Sequence, residues 1–585
     1  MNKTLTKLHE ERHLRDIDIY FAKSIADSFE APEGELLFAL IFNITKLGNT
    51  CLDITALDQF DFAEEYENDL EELASNIDIL LIKGVICEAP ADYAPFIKSG
   101  NKLYMKSFYT DEMSVSQFIQ ERLKDDDEID IAKLKSLLDI YFPENSMQKG
   151  AALNAALNSF TVISGGPGTG KTSTVFSLLA VLSEMTANNL KIAVCAPTGK
   201  AASRLTETIT EKREHYKDKA FIENIPEKAV TIHKLLGMAG DSRKSTHGTH
   251  NKLPYDILIA DEASMIDVRL MSKLVNALPA KCKLILLGDK DQLASVQPGS
   301  VLGDICSHSP VNEFSKARAE TITNVSDKQF TTTDSAYSDI TIMLDKSYRY
   351  QNDKGIGLLA NASGKGDVET AIRVLENDES GQIDYIRFGD NFESLTSKLI
   401  LDHFRYYMSQ DSTAGRIKSF GEFGILAPHR KQIGGTEHIN ALALKTLFKA
   451  GLCDNTKRFY HGMPLMITEN DYSQNLLNGE TGIIIDDKEQ KACFLHENDK
   501  IRKITPARLP AFTPAYCMTV HKSQGSEFDH VLFVLPEADS PILTRELFYT
   551  AVTRAKTKLT IISTDDAIKN CIERRITRTS GLFGQ

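Results

Sequence analysis

The stretch that decides the fold runs Thr161-Val162-Ile163-Ser164-Gly165-Gly166-Pro167-Gly168-Thr169-Gly170-Lys171-Thr172-Ser173. Its first four residues read as a strand, the next eight fit GxxxxGK(S/T), and residues 173–182 read as a helix. Strand, glycine-rich loop and helix in that order form a phosphate cradle. Backbone N–H groups from Gly165 to Ser173 turn inward, and the helix N-terminus adds its positive dipole. Lys171 reaches the outer phosphates and Thr172 supplies a hydroxyl to Mg²⁺. A glycine-rich turn that holds no nucleotide is the competing reading, and the strand and helix on either side weigh against it.

Two further strand ends narrow the chemistry. The apolar run Ile257-Leu258-Ile259-Ala260 is followed by Asp261-Glu262-Ala263-Ser264. Asp261 sits where an acid holds the Mg²⁺ shell, and Glu262 where one orients or deprotonates an attacking water. That pattern favours hydrolysis of the nucleotide over phosphoryl transfer to a small molecule, although a strand ending in acidic helix-capping residues is common by itself. The run 283–287 ends in Gly288-Asp289-Lys290-Asp291-Gln292-Leu293. Its Gln292 lies near the terminal phosphate if the three strands are neighbours, where a neutral amide senses that phosphate without cancelling its charge.

Short β-branched runs at 160–164, 191–196, 257–260 and 283–287 alternate with helical stretches, and a second set follows at 424–427, 515–519, 531–535 and 559–563. This is the pattern of α/β architecture with parallel sheets, and two sets imply two lobes. The Ser/Thr-rich segment 307–338 reads as the passage between them.

The whole chain has 585 residues, 67 Lys and Arg against 81 Asp and Glu, a formal charge of −14, 42% hydrophobic and 25% charged residues. Such a composition excludes disorder, collagen and small disulfide scaffolds, and at roughly 150 residues per domain it allows three or four domains. No apolar stretch approaches the ~18 residues of a membrane span and the first residues carry no signal-peptide core, so a cytoplasmic protein is expected. The nine cysteines are scattered and never spaced CxxC, which reads as reduced thiols without zinc or an iron–sulfur cluster. Residues 1–147 hold 30 acidic and 14 basic side chains, so the acidity belongs to the N-terminal quarter, densest at 58–72 and 125–130. That surface repels a phosphate backbone and suits a basic protein partner, unless it is simply a solvated helix face.

Read together, GGPGTGKT, APTGKAASRL (196–205), TIHKLLG (231–237), DEASM (261–265) and GDKDQL (288–293) resemble the ordered motifs of superfamily 1 DNA helicases. Lys346-Ser347-Tyr348-Arg349, Asn478-Gly479-Glu480-Thr481-Gly482, the run MTVHKSQGSEFD (518–529) and YTAVTRAK (549–556) sharpen the resemblance to the RecD branch, the alpha subunits of exodeoxyribonuclease V. The resemblance covers about residues 145–563. It implies two RecA-like motor domains, a small β-rich, SH3-like insertion in the second, and a small, mainly helical N-terminal domain. On this reading the N-terminal docking domain spans 1–110, a helical linker 111–145, the first motor domain 146–306, the second 307–430 and 511–585, and the insertion 431–510.

The resemblance also assigns roles. Gln148 matches an adenine-reading glutamine, whose amide both donates and accepts. Arg349 and Arg554 match arginines that reach the γ-phosphate from the second lobe, so that lobe closure depends on ATP. Lys171, Glu262, Gln292, Arg349 and Arg554 are thus the expected catalytic set, with Thr172 and Asp261 on Mg²⁺. Single-stranded DNA is expected to cross both lobes at Pro197, Thr198, Arg204 and His233 and at Thr519, His521, Lys522 and Ser523. Hydroxyls, amides and a few cations there hold phosphates without reading bases. For His233 and His521, a packed or capping histidine is the competing reading. The implied activity is ATP-driven 5′→3′ translocation and unwinding at duplex DNA ends, inside a heterotrimer with RecB-like and RecC-like subunits, in double-strand-break repair by homologous recombination. A stand-alone RecD-like helicase and a non-catalytic assembly subunit are the alternatives. No carboxylate and lysine cluster outside the ATP site suggests a nuclease centre, which is expected in a partner.

Overall fold

The computed structural model describes residues 3–60, 62–63, 65–88, 93–123, 129–144, 146–186, 190–238, 244–326, 330–350, 354–389, 391–454, 456–471, 473–496, 500–536 and 539–584. Most of the acidic run 125–130 and parts of the run 58–72 lie outside the described residues. No described helix is long and apolar enough to cross a membrane.

The first lobe is built on a six-stranded parallel sheet in the order Thr341–Leu344, Phe160–Gly165, Lys283–Gly288, Ile257–Ala260, Ile192–Ala196, Val230–Thr231. Every residue of Phe160–Gly165 is buried, as expected for a parallel strand covered on both faces. On one face, Leu134 and Leu138 of helix Ile131–Tyr141 and Ala151 of Met147–Leu157 pack with Leu178 of Lys171–Met185. On the other, Phe108, Val115 and Ile119 of Lys106–Arg122 meet Met271 and Leu274 of Val268–Ala277. The three strands whose ends carry 165–172, 261–262 and 288–293 are thus adjacent, as the sequence reading required.

The second lobe has a five-stranded parallel sheet in the order Ile383–Arg387, Ala555–Ser563, Phe528–Val534, Phe423–Ala427, Cys517–Thr519. Between its last two strands the chain makes a separate antiparallel sheet in the order Ile501–Ile504, Gln490–Leu495, Thr481–Asp486, Pro464–Ile467, Phe512–Pro514. The N-terminal region combines helices such as Glu35–Ile44, buried along nearly its whole length, with a four-stranded sheet that includes Phe96–Ser99 and Lys102–Met105. Phe38 stacks on Phe96 at 5.0 Å, joining the two.

Several expected boundaries move. Residues 111–145 do not form a free linker, because their two helices bury apolar faces on either side of the first sheet. The segment 307–338 is not a passage between lobes. Its helix Lys316–Ser326 packs Ile322 and Val325 into the first core, and Thr341–Leu344 then pairs with Phe160–Gly165, so the first lobe runs well past residue 306. Helix Thr436–Lys449 belongs to the second lobe, where the Asn440 amide bonds the N–H and C=O of Cys517 at 3.1 Å each, and the insertion begins after it. Residues 578–583 leave the second lobe altogether. Arg578 donates to the Ser295 carbonyl at 2.7 Å, the Thr50 N–H to the Thr579 carbonyl at 3.1 Å, and Phe583 stacks on His308 at 4.7 Å.

Candidate functional site

The loop 165–172 leaves the buried strand and turns through two glycines in the left-handed region, Gly168 at φ +76° and Gly170 at φ +79°. No β-carbon fits at either: one on Gly168 would overlap Arg349, and one on Gly170 the Gln148 amide. Lys171 opens the next helix, and its ammonium donates to the Gly165 carbonyl and, at 3.0 Å, to the Gly166 carbonyl. Thr169 closes the turn through a 2.8 Å bond to Gly166.

A cleft of about 240 Å³ lies over this loop. Residues 167–173, Asp261, Glu262, Asp289 and Gln292 line it from the first lobe, and Arg349, Glu527 and Arg554 face them. Asp261 ends its strand with its N–H on the Cys195 carbonyl at 2.9 Å. Burial and then the neighbouring Glu262 push its carboxyl up to about 6. Glu262 itself is held at φ +53°, uncommon for a side-chain-bearing residue, at the turn that follows the strand Ile257–Ala260. Burial raises the Asp289 carboxyl, which Lys171 opposes.

The two arginines arrive by different routes. Arg554, 2% exposed, donates to the carbonyls of Thr550 at 3.1 Å and Ser526 at 3.2 Å, which fixes its fork. Arg349 lies on a turn that clasps the phosphate loop: the Tyr348 N–H donates to the Gly168 carbonyl at 2.8 Å and the Ser347 hydroxyl to the Pro167 carbonyl at 3.2 Å. One Arg349 nitrogen pairs with Glu527 at 2.6 Å, while its Nη1 is buried without a hydrogen-bond partner among the described residues. Glu527 also pairs with Arg204. Burial raises the Glu527 carboxyl, but the charges and hydrogen bonds of Arg204 and Arg349 outweigh it and hold it down at about 2.

Arg204 therefore corrects the sequence reading. Expected on the DNA track, it lines the nucleotide cleft, because its position on helix Gly199–His215 turns it towards Glu527. Ser523 is a second correction, since it is fully buried and its hydroxyl donates to Val520 at 2.7 Å. Gln148 lies beside the loop, donating to the Thr169 carbonyl at 3.0 Å. It lines a neighbouring pocket of about 180 Å³ with Tyr141, Phe142 and Ser173, apolar and polar walls suited to a base.

The other expected DNA contacts sit at the carboxyl ends of strands at or next to the edge of each sheet. Pro197 and Thr198 follow Ile192–Ala196, and the Thr198 hydroxyl accepts the Ala201 N–H at 3.2 Å. Thr519 ends its own strand and accepts the Lys522 N–H at 3.4 Å, leaving the Lys522 side chain exposed. Burial lowers the ordinary value of His233 and His521, so both favour the neutral form. The insertion reaches this side as well: a β-carbon on Gly199 would overlap Leu477, beside the turn 478–482.

Asp289 and Glu527, which line the cleft, were missed as site residues although each stands inside a quoted motif. The signal was present in the spacing, with Asp289 three residues before Gln292 and Glu527 the one acid in the run 518–528. Their partners come from distant segments, which spacing does not show.

Three family models match the chain: an AAA domain over residues 148–298, a UvrD-like helicase C-terminal domain over 514–562, and the RecBCD enzyme subunit RecD N-terminal domain over 10–104. The chain is similar to the RecBCD enzyme subunit RecD of Haemophilus influenzae, 34% identical over 100% of this chain and 99% of that one. The RecD subunit of Mycolicibacterium smegmatis is 30% identical over 97% of each chain. The ATP-dependent RecD2 DNA helicase of Deinococcus radiodurans is also 30% identical, over 68% of this chain and 46% of that protein.

Proposed function

Because this chain belongs to the RecD family of RecBCD enzyme subunits, we propose that it is the ATP-driven helicase subunit of such a complex, working with RecB-like and RecC-like partners on DNA. One observation carries the mechanism: Lys171, Asp261, Glu262 and Gln292 from one lobe, Arg554 from the other and Arg349 from the segment that joins them line a single cleft. The terminal phosphate of ATP belongs between these groups. Lys171 exchanges its loop carbonyls for phosphate oxygens, and the free Nη1 of Arg349 finds there the acceptor it lacks. Thr172 and Asp261, a hydroxyl and a carboxylate lining the same cleft, are hard oxygen donors that fit Mg²⁺. When bound, that ion neutralises charge between the β- and γ-phosphates.

Glu262 then orients a water and takes its proton as the water oxygen bonds to the γ-phosphorus. The bond from that phosphorus to the bridging oxygen breaks, and ADP leaves with the electron pair. Since Arg554 belongs to the far lobe and Arg349 lies on the segment that joins the two, ATP holds the lobes together and hydrolysis releases them. Repeated closure draws single-stranded DNA past residues 197–198, 233 and 519–522. Movement 5′→3′ and entry at duplex ends, in recombinational repair in the cytoplasm, follow from the family reading and are part of this proposal.

A purely structural subunit requires none of this constellation. Lys171→Gln is expected to abolish ATP turnover while the circular dichroism spectrum stays that of the parent. Turnover retained at the parent level contradicts the assignment.

A further inference from the structure

A buried chain of hydrogen bonds crosses between the lobes and ties Gln292 to two residues the mechanism above does not use, Asp289 and Tyr549. Tyr549 stands on helix Arg545–Val552 of the second lobe, and its hydroxyl donates to Asp289 Oδ2 of the first at 3.0 Å. Gln292 Nε2 donates to that same oxygen at 2.9 Å, while Asp289 Oδ1 accepts the Asp291 N–H at 3.1 Å. Tyr549, Asp289 and Gln292 are 8%, 3% and 6% exposed. The helix is held in register by the Leu293 N–H, which donates to the Thr550 hydroxyl at 2.9 Å, and by Gln524, which donates to the Leu293 carbonyl at 3.0 Å. There is no slack on the other side of the ring, because a β-carbon on Gly166 would lie 2.9 Å from the Tyr549 hydroxyl.

A carboxylate offers only acceptors, so Asp289 dictates which end of the Gln292 amide it takes. The nitrogen is committed, and Oε1 is left buried with no hydrogen-bond partner among the described residues. A buried acceptor without a donor is costly, and an amide fixed in this way carries a standing demand for one.

We propose, resting on the ATPase reading above, that Tyr549 is a positioning residue for hydrolysis. Reaching from the second lobe, it holds Asp289, and Asp289 holds the Gln292 amide with its carbonyl available to the attacking water. The same water gives its other hydrogen to Glu262. Parting of the lobes withdraws the Tyr549 hydroxyl, frees Asp289 and lets the amide turn, so alignment of the water depends on closure.

The test is ATP turnover with single-stranded DNA by the full chain, assembled with RecB-like and RecC-like partners in which any ATP site has been inactivated. Tyr549→Phe, Gln292→Ala and the double variant are compared. Loss of the hydroxyl alone should lower kcat about tenfold and leave the KM for ATP within about twofold. In the Gln292→Ala background the same change should add less than about twofold, because the relay has lost its end. Asp289→Asn, which keeps the shape but presents a weaker acceptor, should also lower kcat at constant KM, and it carries the test if the Phe variant fails to fold. Equal, multiplying losses in both backgrounds, or a rise in KM at constant kcat, overturn the relay and leave the ATPase reading standing. Absence of turnover in the parent complex overturns the ATPase reading and the relay with it.

Discussion

Replacing Glu527 by Gln removes one charge from a carboxylate that two arginines share. Arg349 binds it at 2.6 Å and Arg204 binds the same oxygen, with the Glu527 side chain 12% exposed. The amide stands in for the protonated acid, so the carboxyl's displacement measures the loss. A fall from the ordinary 4.5 to about 2 corresponds to about 3 kcal/mol at neutral pH. The sign follows from linkage: a group whose folded value is depressed contributes stability above its unfolded value and loses it as pH falls through the folded one. The contribution is therefore full at pH 7, begins to fade below about 4.5, and is roughly half gone by pH 3. Thermal unfolding of the nucleotide-free chain and the variant, from pH 7 down to pH 3, reads this directly. With an unfolding entropy of about 2.1 cal/mol/K for each of the 585 residues, the midpoints should differ by roughly 2–3 °C at pH 7 and converge as the pH falls. A non-hydrolysable ATP analogue should narrow the gap, since its terminal phosphate replaces the carboxylate between the arginines. A gap that is absent at pH 7, or as wide at pH 3, refutes the reasoning.

Gly168→Ala should lower ATP turnover at least about a hundredfold. The left-handed backbone costs roughly 1–2 kcal/mol, and the new β-carbon displaces Arg349 from its place over the loop; steady-state kinetics check it. Arg554→Lys keeps the charge but loses the fork held by Thr550 and Ser526, so kcat should fall about a hundredfold with little change in thermal midpoint. Removing residues 1–104, which keeps helix Lys106–Arg122 on the first lobe, should abolish assembly with the partner subunits in size-exclusion chromatography. DNA-stimulated ATPase activity should survive in that truncated chain.

Much of the site was legible because its chemistry is local. Gly165 to Thr172, Asp261, Glu262 and Gln292 each follow an apolar strand, and parallel strands deliver their carboxyl ends to one edge. The short β-branched runs stood out for the same reason. What escaped was set by tertiary pairing. Thr341–Leu344 reads alone as an ordinary short strand, and only its register against Phe160–Gly165 assigns it to the first lobe. Arg204 stands in a motif that points to DNA, yet one helical turn and a distant Glu527 place it in the nucleotide cleft. The four-stranded sheet of the N-terminal region was hidden for another reason: strands such as Ile86–Cys87 are too short for alternation to show. The crossing of residues 578–583 onto the other units depends on backbone carbonyls at 295 and 299, which no side-chain pattern announces.

The most direct test of the central claim is strand separation by the assembled complex with any ATP site of the partner subunits inactivated, so that this chain is the only motor. The substrates are a duplex with a 5′ single-stranded tail and its 3′-tailed counterpart. ATP-dependent unwinding of the 5′-tailed duplex that disappears with Arg554→Ala is the predicted result. Unwinding that persists in that variant, or that occurs only from the 3′ tail, contradicts a motor driven by closure of this cleft.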